Sequence, residues 1–176
     1  MLRLADFSLS HETAVTELLT QTYVDEGYSS PQIVSAFTPS ALRSRGEVIV
    51  AESDGRVVGV VILVDGANPA AKLSAEGESE MHLLAVEKSL RGGGTGTALV
   101  AETIRRAQDR GDRRLHLYTQ PSMSAAKAVY ERAGFLREAR RDFEMAGKPF
   151  EVYSLSLDPS ANRPAPTSSL PEAPTN

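Results

Sequence analysis

The chain has 176 residues, 41% hydrophobic and 24% charged, with a formal net charge of −4 and no cysteine. This suits one globular domain with a sizeable core, and it excludes a disulfide framework, a thiol nucleophile and a cysteine-held zinc. The acidic balance gives no electrostatic reason to expect nucleic acid. The first residues carry no basic-then-apolar leader pattern, and no apolar run approaches membrane-spanning length, so a cytoplasmic protein without a membrane partner is expected.

In chain order, Leu2 to Phe7 reads as a first strand. Ser10 stands at an N-cap position, and Val15, Leu18, Leu19, Thr22 and Tyr23 follow at helical spacing toward Gly27. Thr38-Pro39 reads as the N-cap and first residue of a short second helix that Gly46 closes. Two β-branched runs, Glu47 to Glu52 and Arg56 to Val64, flank Asp54-Gly55 as a hairpin. Gly59 within the second run marks a bulge or a close approach. The polar stretch from Asp65 to Ser79 is expected to be either a mobile loop beside an acceptor site or a plain long connection.

Glu80 to Val86 is a further strand. A helix from about Gly94 to Arg110 presents Leu99, Val100, Thr103, Ile104 and Ala107 on one face. Arg114 to Thr119 alternates Leu115 and Leu117 with His116 and Tyr118. Ser122 or Ser124 caps a helix running to Ala133, and Leu136 to Met145 pairs with Phe150 to Leu157 around Gly147-Lys148-Pro149. The segment 158–176 holds five prolines and one leucine. It is expected to be a disordered tail following a domain over 1–157.

Between the fourth strand and the long helix lies Arg91-Gly92-Gly93-Gly94-Thr95-Gly96-Thr97. Glycines let a ligand approach the backbone, and a helix opening from the loop aims unpaired N–H groups and its positive dipole end at the same point. Strand, loop and helix together make a phosphate cradle. A P-loop would need Lys then Ser/Thr after the last glycine, where Thr97 and Ala98 stand. The dinucleotide fingerprint fails at Thr97 in one frame and at Leu99 in the other.

The spacing Arg91, Gly94, Gly96 resembles instead the acetyl-CoA loop of the GNAT superfamily of N-acetyltransferases. Glu80-Met81-His82-Leu83-Leu84-Ala85-Val86 looks like that superfamily's fourth strand. Ala126 to Phe135, with Tyr130-Glu131 and Gly134-Phe135, looks like its later signature. Met123 departs from the pattern, standing where many members carry Asn, and Ser122 or Ser124 offers the polar contact instead.

The resemblance implies an α/β fold: a mixed, mostly antiparallel sheet, splayed at the fourth and fifth strands and flanked by helices. It implies direct acetyl transfer from acetyl-CoA to a primary amine, on a small molecule, peptide or protein; a homodimer stays open. Backbone groups of Gly92, Gly93, Gly94, Thr95, Gly96 and Thr97 would take the pyrophosphate, with Arg91 at the rim. Those of Leu84, Ala85 and Val86 would hold the pantetheine arm and polarise the thioester.

An alkylamine of pKa about 10.4 costs about 4–5 kcal/mol to deprotonate at pH 7, so a base is needed. Glu80 matches the family's fourth-strand glutamate, with Glu78 as substitute and His82 able to share the task. Tyr130 matches the tyrosine that protonates the leaving thiolate. Transfer of another acyl group, and a non-catalytic acyl-CoA-binding module, are the alternatives. No metal is expected, because the three histidines lack close ligand spacing. The Ser124-to-Lys127 match to S-x-x-K lacks its partner motifs.

Overall fold

The computed structural model describes residues 1–158. The expected tail falls almost wholly on 159–176, outside the described residues. Strands β1 (Leu2–Asp6), β2 (Glu47–Ser53), β3 (Arg56–Asp65), β4 (Ser79–Val86), β5 (Arg114–Thr119), β6 (Leu136–Arg137), β7 (Phe143–Met145) and β8 (Lys148–Ser156) form one mixed sheet. Its order is β1-β2-β3-β4-β5-β8-β6, with β7 hairpinned onto β8. All pairings are antiparallel except β4 with β5. Helices α1 (Glu12–Thr20), α2 (Pro39–Arg45), α3 (Thr95–Asp109) and α4 (Ser124–Arg132) flank it. The expected mixed, mostly antiparallel architecture is the one observed. No helix among the described residues is long and apolar enough to cross a membrane.

β3 explains why both faces are covered. Its run Val60-Val61-Ile62-Leu63-Val64 is buried throughout, as a central strand between two helical layers must be. Val61 and Leu63 join Leu99, Val100 and Ala107 of α3 and Tyr130 of α4. Val60, Ile62 and Val64 turn to the other face, against Val15, Leu18 and Leu19 of α1, Leu42 of α2 and Phe37. Paired residues share a face, so Glu80 and His82, opposite Val64 and Ile62, lie on the α1–α2 side.

Several local expectations give way to tertiary structure. The first helix starts through a 3-10 turn at Leu9–His11, where Ser8 and His11 cap each other in place of Ser10. It ends as a π-helical stretch at Gln21–Asp25. Met123 precedes α4 without a side-chain cap, so neither serine serves as one. The expected strand from Leu136 to Met145 is broken by a 3-10 turn at Ala139–Arg141.

Gly59 turns out to be both a bulge neighbour and a close approach. The β2–β3 register shifts beside its partner Ala51, and a Cβ on Gly59 would sit 2.8 Å from Leu99 Cδ1 and 3.3 Å from the Ala85 carbonyl. We expect Gly59→Val to overpack the α3–β3 contact by ~1–3 kcal/mol, lowering Tm by several degrees in a thermal melt. An unchanged Tm would show that α3 can retreat freely from the sheet.

Candidate active site

The site begins where β4 leaves β5. Their parallel pairing ends at Met81↔Leu117. Just beyond, Leu83 and Leu84 together oppose the single residue Val61, and Leu83 adopts φ +52°. A leucine in that region costs about 1–3 kcal/mol and persists only where its surroundings impose it. The Glu87 N–H bonds the Val58 carbonyl at 2.9 Å, so Ala85 completes the ladder to β3. The backbone groups of Leu84 and Val86 therefore face the split. Two side chains meet their carbonyls there: Tyr23 Oη donates to Leu84 O at 3.0 Å, and Arg91 Nε to Val86 O at 3.0 Å.

Past β4 the chain turns through Lys88–Leu90 into the glycine run. Gly92 and Gly94 have φ of +81° and +92°, and a Cβ on either would point into open space. Their left-handed backbone shapes the loop and leaves the space before α3 clear. The first helical bond runs from Ala98 N–H to Gly94 O at 2.9 Å, so the N–H groups of Thr95, Gly96 and Thr97 have no partner in their own helix. No acidic side chain occupies that first turn.

Split, loop and α4 enclose a cavity of about 860 Å³. Leu84, Ala85 and Val86 line one wall, and Arg91, Gly92, Gly94, Gly96 and Thr97 another. Met123 to Ala126, with Val129 and Ala133, close it from the α4 side. Gly93 and Thr95 of the expected backbone set do not line it, and neither do the expected catalytic residues Glu80 and Tyr130, which lie buried behind its walls. Thr95 is buried with its methyl group toward Gly59, and Gly93 donates its N–H to Leu90 O. Arg91 does not stand free at the rim. Its guanidinium grips Glu26 at 2.8 and 2.6 Å, and this bond, more than charge attraction alone, holds the Glu26 carboxyl below its ordinary range. A phosphate there must share the cation or displace Glu26.

Glu80 is not the solvated strand-start carboxylate that its neighbours Glu76 and Glu78 suggest. It is 0% exposed. Its Oε1 accepts the N–H groups of Lys72 and Ser74, each at 2.7 Å, that of Leu73, and the Ser74 hydroxyl at 3.1 Å. Its Oε2 lies 2.7 Å from His82 Nε2. Burial alone would raise the carboxyl's pKa, but the His82 bond and the Leu73 and Ser74 N–H groups outweigh it and hold the pKa at about 2. The segment after Asp65 is thus pinned onto β4, where a mobile loop was one expectation. Arg141 donates to Leu73 O at 2.6 Å and Arg113 to Glu76 O at 3.2 Å. Glu78 is occupied elsewhere, accepting from Ala75 N–H and facing His116 Nε2 at 3.1 Å.

An ionised carboxylate only accepts, so the ring nitrogen facing Glu80 carries the proton. That leaves His82 Nδ1 as a bare lone pair, and it is buried with no hydrogen-bond partner among the described residues. Such an orphan acceptor costs about 1–3 kcal/mol. Burial holds the His82 pKa below its ordinary value, against the opposing pull of Glu80.

Tyr130 is 6% exposed, packed edge-on to Phe135. Burial raises its pKa. Tyr23, which periodicity presents only as core, reaches the β4 backbone at the split. Also unforeseen is an aromatic group on the Glu80 face, where Tyr118 meets His82, Phe143 and Phe150 at centroid distances of 5.3, 5.2 and 5.5 Å. The pairs lie too far apart in sequence for any local signal.

With this geometry in view, the comparisons place the chain. The family model for the Acetyltransferase (GNAT) family matches residues 13–135, and the chain belongs to that family. It is 36% identical over 93 residues to the mycothiol acetyltransferase of Cellulomonas flavigena, covering 52% of this chain and 27% of that protein. It is 31% identical over 120 residues to N-acetyltransferase 8F1 of Rattus norvegicus, covering 68% and 53% respectively. The chain thus spans only about a quarter to a half of these relatives' length. A GNAT acetyltransferase from Staphylococcus aureus Mu50 superposes with TM-score 0.73 at 17% identity, over 90% of this chain and 100% of that one. An acetyltransferase from Bacillus subtilis, solved in complex with CoA, gives 0.64 at 22% identity over 89% and 99%.

The Glu80 charge has a stability signature. Its folded pKa of about 2 lies below the ordinary 4.5, so the stabilisation is present above pH 4.5 and is lost as pH falls toward 2. Glu80→Gln should be less stable than the parent at neutral pH by about 3 kcal/mol. In urea titrations that gap should close progressively on acidification across this window; a gap independent of pH would exclude the charge as its source.

Proposed function

We propose that the chain transfers the acetyl group of acetyl-CoA directly to a primary amine. The observation that carries this reading is the one cavity lined together by Leu84 and Val86 at the split, the glycine loop and the start of α3. A diphosphate fits the loop end, where unpaired N–H groups and a helix dipole meet and no carboxylate stands in the first turn. An extended amide-bearing arm fits the split, where strand backbone is left without a strand partner. The family and the acetyltransferase relatives support the same reaction class.

On this reading the Gly92-to-Thr97 backbone holds the phosphates, and Arg91 shares its charge between them and Glu26. The Val86 N–H polarises the acyl carbonyl, where negative charge develops. Tyr130, held protonated by its burial, supplies a proton to the leaving sulfur. Glu80, paired with His82 at 2.7 Å, belongs to the group that deals with the amine's surplus proton.

Acetyl-CoA should raise the thermal midpoint, as any ligand of the native state does, by about 2.7 kcal/mol at a hundredfold excess over Kd. Gly94→Val places a β-branched side chain at φ +92° and in the open space before α3, so it should abolish that shift. An undiminished shift would remove the loop from binding.

Free CoA release across a panel of amines then tests the transfer. With an accepted amine, Tyr130→Phe should lower kcat roughly 10²-fold while leaving acetyl-CoA affinity nearly unchanged. Full activity in that variant would remove Tyr130 from the chemistry. Tight acetyl-CoA binding without transfer to any amine would favour a binding module.

A further inference from the structure

We propose that His82 takes the amine's proton through Nδ1, and that Glu80 acts through His82 as a positioning residue. This rests on the acetyltransferase reading above and names the base within it. Glu80 has no open oxygen: Oε1 is filled by the 72–74 backbone and the Ser74 hydroxyl, and Oε2 faces His82 Nε2. The carboxylate's remaining outlet is the imidazole. Its far nitrogen is the buried acceptor that nothing in the described structure satisfies.

Position agrees with chemistry. His82 is the first β4 residue after the last β4–β5 pair, and Tyr118, its counterpart on β5, packs against its ring at 5.3 Å. His82 thus stands at the root of the split, four residues before Val86, with its ring on the α1–α2 face behind the residues that line the cavity. The groups acting on it are Glu80 of its own strand, Tyr118 of β5, Arg45 of α2 and Lys72 of the covering segment. Glu80 titrates near 2 and Tyr118 near 12, so neither changes charge in the range where His82 does.

The step balances. An ammonium N–H bond breaks as its proton, carried by a water molecule, joins the Nδ1 lone pair. The freed nitrogen pair forms the C–N bond while the C–S bond breaks. Sulfur takes the Tyr130 proton, the second nitrogen proton restores Tyr130, and His82 returns its own to solvent. One proton is released per acetyl group transferred.

The test has two arms. In the first, ¹⁵N NMR on histidine-labelled protein reads the His82 tautomer without any turnover. We expect Nδ1 bare and Nε2 protonated in the parent. In Glu80→Gln the side-chain oxygen must still accept the 72–74 N–H groups, so its NH₂ turns to His82 and the tautomer inverts. A parent with Nδ1 protonated at neutral pH overturns the proposal.

In the second arm, pH–rate profiles are measured with an amine that the parent acetylates. His82→Gln should lower kcat at least 10²-fold and lose the acid limb, and Glu80→Gln should lose about 10²–10⁴-fold in kcat through the wrong tautomer. Both should keep their acetyl-CoA thermal shift. Parent-like kcat and an intact acid limb in His82→Gln overturn the proposal alone. A parent that acetylates no amine overturns the acetyltransferase reading, and this assignment with it. Should Glu80→Gln fail to fold, the parent's tautomer and the His82→Gln profile still decide.

Discussion

The parting of β4 from β5 is the constraint on which the rest of the molecule depends. A buried strand must satisfy its backbone groups, and past Met81↔Leu117 β4 has no strand on that side to do so. The protein answers with side chains from distant segments. Tyr23 reaches the Leu84 carbonyl from the end of the first helix, and Arg91 reaches the Val86 carbonyl from the glycine loop. The strained Leu83 inserts the extra residue that turns Leu84 and Val86 toward the opening. What would be a defect in an ordinary sheet thereby becomes a concave surface of backbone donors with its acceptors already occupied.

A second constraint follows from putting a carboxylate inside that sheet. A buried charge is tolerable only with a full set of partners. Glu80 obtains them by drawing the backbone of residues 72–74 over itself, and the segment is then fixed from its other side by Arg141 and by Arg113. Beneath the same segment His116 links Glu78 to Ser154, at 3.1 and 2.6 Å, tying β5 and β8 to it. The covering segment is therefore part of the electrostatic structure of β4. Moving it would expose the carboxylate and strip Oε1 of the N–H donors that hold it ionised beside His82.

The parts legible in the sequence are those with a local cause. Asp54-Gly55 gives the β2–β3 hairpin, Thr38 caps α2 by accepting the Ala41 N–H at 3.3 Å, and alternation along β5 separates Leu115 and Leu117 from His116 and Tyr118. The glycine run announced the loop because positive φ at Gly92 and Gly94 is a backbone demand carried by the residues themselves. Leu83 was illegible for the converse reason: nothing in its neighbourhood favours φ +52°, and the split imposes it. The enclosure of Glu80 depends on a chain segment returning from 72–74, and the Arg91–Glu26 pair spans 65 positions. Such pairings follow from topology, and a single sequence carries no signal for them.

If the proposed transfer to an amine holds, the sheet also resolves a chemical conflict in it. One group must remove a proton from nitrogen while another gives one to sulfur, and side by side they would neutralise each other. Here Tyr130 belongs to the core cluster on the α3–α4 face, whereas Glu80 and His82 pair with Val64 and Ile62 on the α1–α2 face. Intact β-sheet would isolate the two sides, since its backbone hydrogen bonds leave no passage. The split opens one at the level where Leu84 and Val86 present their backbone. The cavity lining spans that level, with Thr22 from the end of the first helix on one side and Ala101 and Ile104 of α3 on the other. On the proposed reading, one departure from regular strand pairing thus supplies the binding surface, the polarising N–H and the separation of acid from base.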